Sequence, residues 1–321
     1  MRSYHVDFGS LFCVLVLLHM VVSQGLSKAQ ANLMLPAFSH GSNIIMSNDD
    51  GWAEVNLRTF YNALKKAGES PVVSAPAKNK SGTGSLDGEP GIVEDGCEFY
   101  SCPPGSPATG CNSSDPNLNY VNSYPVTSMA YGISTLSPKI FKGPPDLAVT
   151  GPNVGVNLDA SMPFSGTIGA AVEAIKRGIP AIAFSGGSGE QTAWTVPTPA
   201  YSEIYAQLAT NLTTTLLKSG KPYLPEGVWL NVNFAASTST LCSKASDFKF
   251  VLTRIWPAIP FVDPVDVETC GSDRLPQERR VVGGIGCYVS VSVGNPNKLD
   301  AGAAAQSVAL KKLSKILTCL P

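Results

Sequence analysis

Short apolar runs alternate with segments of helical periodicity from residue 43 onwards. The pattern predicts buried strands at 43–47 (NIIMS) and 71–75 (PVVSA), with a helix at 53–67 between them. One face of that helix carries Leu57, Phe60, Tyr61 and Leu64. Continuous apolar runs of this length are typical of strands that are covered on both faces.

The alternation resumes after a loop-rich insertion. The insertion, near 86–122, is rich in Gly, Ser and Pro and follows a loop that begins at 76. Beyond it the pattern predicts helices near 126–136, 166–177 and 200–217 and strands at 146–150, 180–185 and 228–233. This order predicts an α/β fold, a mostly parallel sheet with helices on both faces.

The pattern changes again beyond about residue 240. Segments of strand character, at 248–255 and 287–293, stand among Pro and Gly residues, and an amphipathic helix is predicted at 301–318. We therefore expect an α/β catalytic domain at 43–235, followed at 236–321 by a β-rich C-terminal lobe with a terminal helix.

The first residues have the pattern of a secretory signal peptide. The apolar run at 11–22 follows Arg2 and is too short to span a bilayer. We expect cleavage after Gly25 or as late as Ala31, and secretion of the mature chain; an uncleaved anchor is the alternative. No other segment is long and apolar enough to predict a membrane span.

Charge and histidine content exclude several classes of function. The formal net charge of -1 provides no strong field for a nucleic-acid polymer or an acidic membrane surface. Two of the three histidines, His5 and His19, lie in the predicted signal peptide, which leaves only His40. A Ser-His-Asp triad and a histidine-rich metal cluster are therefore excluded from the mature chain.

Cysteines and glycosylation sequons both fit an oxidising compartment. Of eight cysteines, Cys13 lies in the predicted signal peptide, and the odd remainder predicts a thiol that is unpaired or bonded to another chain. We expect at least two disulfides, one of them from the group Cys97, Cys102 and Cys111. Sequons at Asn79, Asn112 and Asn211 are consistent with a secreted glycoprotein.

Two adjacent aspartates follow the first predicted strand, where an open α/β sheet binds its ligands. Asp49 and Asp50 would repel a phosphate unless a divalent cation lay between them. Paired carboxylates suit Mg²⁺ or Mn²⁺, which complete their coordination with water and substrate oxygens. The same Asp-Asp-Gly before a helix would also serve as an N-cap, so both interpretations stay open here.

Polar residues recur in the other loops at the same edge of the sheet. The segment 75–85 is rich in Ser and Gly and is typical of a flexible turn. Asn153 and Asn157 could ligate a metal, bond a phosphate or serve as turn residues. Ser165, Gly166 and Thr167 open a helix whose N-terminus could bind an anion, with Ser165 as its cap.

The order of these motifs resembles one family. The motifs are Asn-Asp-Asp-Gly at 48–51, Ala-Pro followed by Lys-Ser-Gly-x-Gly at 75–84, Val-Thr-Gly-x-Asn-x-Gly-x-Asn at 149–157 and Ser-Gly-Thr-x-Gly-Ala-Ala at 165–171. Together they resemble the SurE nucleotidases and their secreted fungal-type acid phosphatase relatives. The motifs cover about 43–175, and the pattern of elements extends the likeness to about 235.

The resemblance implies a Rossmann-like sheet and a metal-dependent phosphatase. It implies one divalent cation, Mg²⁺ or Mn²⁺, and its ligands would be Asp49, Asp50, Ser81 and Asn153. Asp49 and Asp50 would also be the catalytic residues. We expect phosphate contacts from Asn48, Asn157, Ser165, Gly166 and Thr167. The substrates implied are nucleoside monophosphates and other small phosphate monoesters, and a homodimer is a further expected partner state.

Two features separate the chain from the pattern of compact bacterial members. Phe164 stands before Ser-Gly-Thr, where those members often carry Tyr or His, and the cysteine-bearing insertion is larger. A secreted protein that binds a metal or another ligand without catalysis is the alternative function. A haloacid dehalogenase-like phosphatase would need acidic residues two positions apart, a spacing that the adjacent Asp49 and Asp50 lack.

Overall fold

A computed structural model describes residues 41–321. Nine strands form one sheet in the order β3-β4-β2-β1-β5-β6-β7-β9-β8. The strands are β1 (Asn43–Ser47), β2 (Ser70–Pro76), β3 (Thr109–Cys111), β4 (Leu118–Val121), β5 (Leu147–Val154), β6 (Ala181–Gly186), β7 (Trp229–Phe234), β8 (Lys249–Thr253) and β9 (Tyr288–Gly294). The predicted signal peptide and His40 lie outside the described residues.

The central strands β4, β2, β1, β5, β6 and β7 run parallel, as the continuous apolar runs predict. Successive residues of a strand face opposite sides of the sheet, so one strand supplies two cores. In β1, Ile44 and Met46 pack into one core and Ile45 into the other. The predicted α/β fold with helices on both faces is confirmed.

Helices cover the two faces of the sheet. They are α1 (Val55–Lys66), α2 (Pro125–Tyr131), α3 (Ser137–Ile140), α4 (Gly166–Lys176), α5 (Ala200–Lys218), α6 (Glu278–Val282) and α7 (Ala303–Leu313). α1 and α5 contribute Leu57, Phe60 and Leu212 to one core, whereas α2 and α4 contribute Met129 and Ile168 to the other. Among the described residues, no helix has both the length and the apolar character that crossing a membrane requires.

Two regions outside the predicted alternation of strands and helices also contribute strands to the sheet. The predicted loop-rich insertion near 86–122 contains β3 and β4, and β4 pairs with β2 in parallel. Beyond residue 235, β9 pairs antiparallel with β7, and β8 pairs parallel with β9. The predicted boundary at 235 therefore runs between hydrogen-bonded strands of one sheet, and the terminal helix is shorter than the predicted 301–318.

Disulfides close three loops of the described chain. They join Cys97 to Cys102, Cys242 to Cys287 and Cys270 to Cys319. The first confirms that the cysteine-rich insertion contributes a disulfide. No cysteine at 41–321 is free, Cys111 included, so the odd count leaves no free thiol in this part of the chain.

Candidate active site

The carboxyl ends of β1, β2, β5 and β6 lie side by side in the middle of the sheet, and their loops converge there. β1 ends at Ser47 and is followed at once by the buried Asn48, Asp49 and Asp50. Because β2 and β5 flank β1, the loops that follow them border the same place.

Asp49 lies against the N-terminus of α4. Its Oδ2 accepts a hydrogen bond from the Gly166 N–H at 2.9 Å, and its Oδ1 accepts one from the Thr167 hydroxyl. Burial raises the pKa of Asp49, whereas the hydrogen bonds from Thr167 and Gly166 lower it. Gly166 has to be a glycine here, since a Cβ atom would lie 2.8 Å from the Asp49 Cβ.

Asp50 is held by two other loops. Its Oδ2 accepts from the Val154 N–H at 2.8 Å, and its Oδ1 accepts from Gln191 Nε2 at 2.5 Å. Burial, together with the nearby carboxyls of Asp49 and Glu54, raises the pKa of Asp50 well above its ordinary value. Each shift reflects the cost of placing negative charge in a site that water does not reach.

Asn153, at the end of β5, is connected to Asp49 through Thr167. The pairing of β5 with β6 shifts register between Thr150 and Asn153, an irregularity that re-aims the side chains after it. Asn153 Oδ1 accepts from the Thr167 hydroxyl at 3.3 Å, and its Nδ2 donates to the Gly155 carbonyl at 2.7 Å. Thr167 therefore connects Asp49 with Asn153.

Ser81 belongs to a loop whose backbone is bonded to the segments around Asp49. The N–H of its neighbour Lys80 donates to the Asp49 carbonyl at 2.7 Å, and the Gly84 N–H donates to the Phe164 carbonyl at 2.8 Å. The loop 80–84 is thus fixed at both ends to the elements that carry Asp49 and Ser165. Ser81 itself is exposed.

The residues predicted to contact phosphate are close by but already have partners. Both side-chain groups of Asn48 bond the Gly51 backbone, and Asn157 Nδ2 donates to the Ser185 hydroxyl at 2.8 Å. Ser165 caps α4 by accepting from the Ile168 N–H at 3.1 Å. The free helix N-terminus that the sequence predicted is occupied by Asp49, because a carboxylate complements the unpaired N–H groups and the dipole there.

The described part of the chain offers these carboxylates no positive side chain. None of its ion pairs includes Asp49 or Asp50. Nor do residues 41–321 contain a group of three or more His, Cys, Asp or Glu placed to hold a metal. Two buried carboxylates with an amide and a hydroxyl beside them match the oxygen-ligand preference of Mg²⁺ or Mn²⁺, which take further ligands from water and substrate.

Three polar residues of this region were not predicted as site residues. Gln191 belongs to the loop after β6, at the carboxyl edge where an open α/β sheet binds its ligands. Glu54 is buried at the N-cap of α1, and Glu98 contacts Gly51 from the insertion. Nothing in the local sequence around Glu98 indicates that contact, because the two residues meet only through the tertiary fold.

Sequence comparison identifies the family to which this site belongs. The family model described as "Survival protein SurE" matches residues 44–257, which include all four loop motifs. The chain belongs to the SurE family. The predicted resemblance is thereby confirmed.

Curated relatives of this chain include an acid phosphatase and 5'-nucleotidases. An acid phosphatase from Yarrowia lipolytica is 34% identical over 311 residues, covering 88% of this chain and 87% of the relative. A 5'-nucleotidase SurE from Lawsonia intracellularis is 31% identical over 194 residues, covering 60% of this chain and 65% of the relative. Both names are those of phosphoric monoester hydrolases.

The fold of this chain is similar to that of a solved SurE protein. The crystal structure of the SurE protein from Aquifex aeolicus matches with a TM-score of 0.54 and 23% sequence identity. The match covers 79% of this chain and 93% of the other, so most of that fold is present here.

Proposed function

We propose that this SurE-family protein, a phosphoric monoester hydrolase, uses one divalent cation to release phosphate from nucleoside monophosphates and other small phosphate monoesters. The observation that carries the proposal is the pair Asp49 and Asp50, buried side by side at the strand ends without a positive side chain to neutralise them. Buried acidic groups are normally paired, protonated or bound to a metal, and a metal would account for two of them lying side by side at the strand ends.

Asp49, Asp50, Ser81 and Asn153 would hold the cation, with Mg²⁺ or Mn²⁺ as the candidates. A bound cation supplies Lewis-acid chemistry, which neutralises charge on the phosphoryl oxygens and contributes several kcal/mol to lowering the barrier. The ligand set combines carboxylate, hydroxyl and amide oxygens, the hard donors that these ions prefer.

The residues around the ligands orient them. Gly166 and Thr167 donate hydrogen bonds to the two oxygens of Asp49. We therefore assign these two residues the role of orienting this carboxylate, in preference to direct contact with the phosphate. Val154 and Gln191 do the same for Asp50. With no histidine beyond residue 40, we assign the proton for the leaving oxygen to a carboxylic acid or to water.

The substrate class and the cellular location rest on different observations. The names of the curated relatives, acid phosphatase and 5'-nucleotidase, support small phosphate monoesters with a nucleotide among them. The apolar N-terminal run and three disulfides support secretion. A homodimer stays part of the proposal.

A phosphate-release assay tests the function. Purified protein would be incubated with AMP and with an aryl phosphate, in a chelator and after addition of Mg²⁺ or Mn²⁺. We expect no release in the chelator and restored release with either metal. Full activity in excess chelator would refute the metal site, and Mn²⁺ binding without release from either ester would support the non-catalytic alternative.

A further inference from the structure

A short loop of the insertion is held in a strained conformation by a disulfide. Phe99 and Tyr100 have φ angles of 50° and 57°, in the left-handed region that residues with a Cβ rarely adopt. Each such residue is unfavourable and persists only where its surroundings fix it. The Cys97–Cys102 bond closes the loop, and the Cys97 N–H also donates to the Cys102 carbonyl at 3.0 Å.

The strained loop places the Glu98 carboxyl group against Gly51, next to the aspartate pair. A Cβ atom on Gly51, the residue after Asp50, would lie 1.9 Å from Glu98 Oε1, so the two residues are in direct contact. The Ala53 N–H donates to the same oxygen at 3.4 Å, and the Asn79 N–H is near enough to this carboxyl to lower its pKa. Glu98 thus contacts the loop that carries Asp50 and the loop that carries Ser81.

Further contacts fix the loop 97–102 to the same two segments. The Glu98 N–H donates to the Ala77 carbonyl at 3.1 Å, and Trp52 Nε1 donates to the Ser101 hydroxyl at 2.9 Å. Burial raises the pKa of Glu98 to about 8, whereas the two backbone N–H groups and Arg58 lower it. An apolar side chain of similar size would avoid that cost of burial but could not accept the hydrogen bond from the Ala53 N–H.

We propose that the disulfide-closed loop 97–102 is a positioning element of the active site, in which Glu98, through its carboxyl group and its N–H, holds the Asp50 and Ser81 loops in their mutual geometry. The inference rests on the proposed function. A displacement of about 1 Å between reacting groups can cost about a hundredfold in rate, so a contact that fixes two ligand loops acts on turnover.

The experiment compares Glu98→Gln, Glu98→Ala and the double variant Cys97→Ala/Cys102→Ala with wild type, using an aryl phosphate with Mn²⁺. Glutamine keeps the size of the side chain but replaces one acceptor oxygen by an NH2 donor, so Glu98→Gln should fold normally. We expect its kcat to fall about tenfold, with KM changed less than about twofold and Tm unchanged. Glu98→Ala and the double variant should lose as much or more.

Two matched controls separate positioning from other roles. Cys270→Ala/Cys319→Ala removes a different disulfide, and Tyr100→Ala changes a fully exposed side chain in the same loop. Both should keep kcat within about twofold of wild type at 25 °C. An equal loss of kcat in the two disulfide variants would indicate general destabilisation. A loss of kcat in Tyr100→Ala larger than that in Glu98→Gln would indicate that Tyr100 contacts the substrate. Either result overturns the positioning role.

The same measurements distinguish this inference from the proposed function. An active wild type with an equally active Glu98→Gln variant would overturn the inference alone. A wild type that releases no phosphate with any metal would refute the proposed function, and the inference would fall with it.

Discussion

Asp49 and Asp50 are neighbours in sequence, yet different parts of the fold hold them. Asp49 accepts from the first turn of α4, whereas Asp50 accepts from the end of β5 and from the loop after β6. Desolvation raises the pKa of both carboxyls, and for Asp50 the charge of Asp49 adds to it. A divalent cation would relieve both effects, because it neutralises the pair while accepting their oxygens as ligands.

Replacing either aspartate by asparagine should therefore abolish turnover without unfolding the protein. We expect Asp49→Asn and Asp50→Asn to lower kcat by about a hundredfold or more, since the amide keeps the shape but loses the charge that binds the cation. Without added metal, Asp50→Asn should melt no lower than wild type, because it removes a buried charge.

Steady-state kinetics and thermal unfolding would check both statements, with Asp273→Asn, at an exposed position, as the control. Near-normal turnover in both asparagine variants would move the site elsewhere.

At the scale of elements, helix α4 and the loop that carries Ser81 touch through two glycines. A Cβ atom on Gly169 would lie 1.9 Å from the Gly84 carbonyl oxygen. Gly84 has a φ angle of +57°, and its N–H donates to the Phe164 carbonyl just before α4. The distance of Ser81 from Asp49 therefore depends on how closely this helix and loop approach.

Gly169→Ala tests that approach. The methyl group should push the loop 80–84 away from α4, so we expect kcat to fall about tenfold or more. Overpacking should cost about 1–3 kcal/mol, partly offset by the higher helix propensity of Ala, about 1 kcal/mol. Thermal unfolding and kinetics would be compared with Gly143→Ala, where a Cβ atom meets nothing within 4 Å. Unchanged kcat in Gly169→Ala would show that the loop does not need this contact.

On the scale of the whole molecule, the C-terminal residues hold the loop that leads into α4. Gln277 Nε2 donates to Asp159 Oδ1 at 2.7 Å, and Arg279 pairs with the other oxygen of Asp159. Glu278, fully buried, accepts from Asn231 Nδ2 and from the Ser292 hydroxyl at 2.8 Å. Asn231 in turn donates to the Asn157 carbonyl, so the network connects α6 with the site.

Glu278 should make stability depend on pH. Burial raises the pKa of its carboxyl well above the ordinary value of 4.5, despite the hydrogen bonds from Ser292 and Asn231. The unfolded chain releases this proton near pH 4.5 and the folded chain only at higher pH. The contribution of Glu278 to stability is therefore complete below about pH 4.5 and declines as the pH rises towards the folded pKa.

We expect Glu278→Gln to flatten this decline, because the amide does not titrate. Denaturant unfolding at several pH values between 4 and 8 would measure it, with Glu226→Gln at an exposed position as the control. If the free energy of unfolding changed equally with pH in wild type and Glu278→Gln, the pKa of Glu278 would not be raised in the folded protein.

Much of the fold could be predicted from the sequence because the patterns that indicate it lie within short segments. Continuous apolar runs such as 43–47 and 181–186 need cover on both faces, and this requirement alone predicts a parallel sheet with helices on each side. The four loop motifs identified the family because each follows a strand end at a fixed order along the chain. The helix predicted near 126–136 passes instead through α2, a π-helical turn at Gly132–Leu136 and α3, a change of hydrogen-bond pattern that periodicity does not encode.

The sequence by itself determined the central parallel sheet, its family and the group of residues at its carboxyl edge. Only the tertiary structure decided that β8 and β9 join the same sheet, that Asp49 fills the N-terminus of α4, and that Gln191 and Glu98 reach the Asp50 loop. The physical reason is the range of the interactions. Periodicity and turn chemistry act between neighbours in sequence, whereas Glu98 and Gln191 reach their partners only after distant segments have packed together.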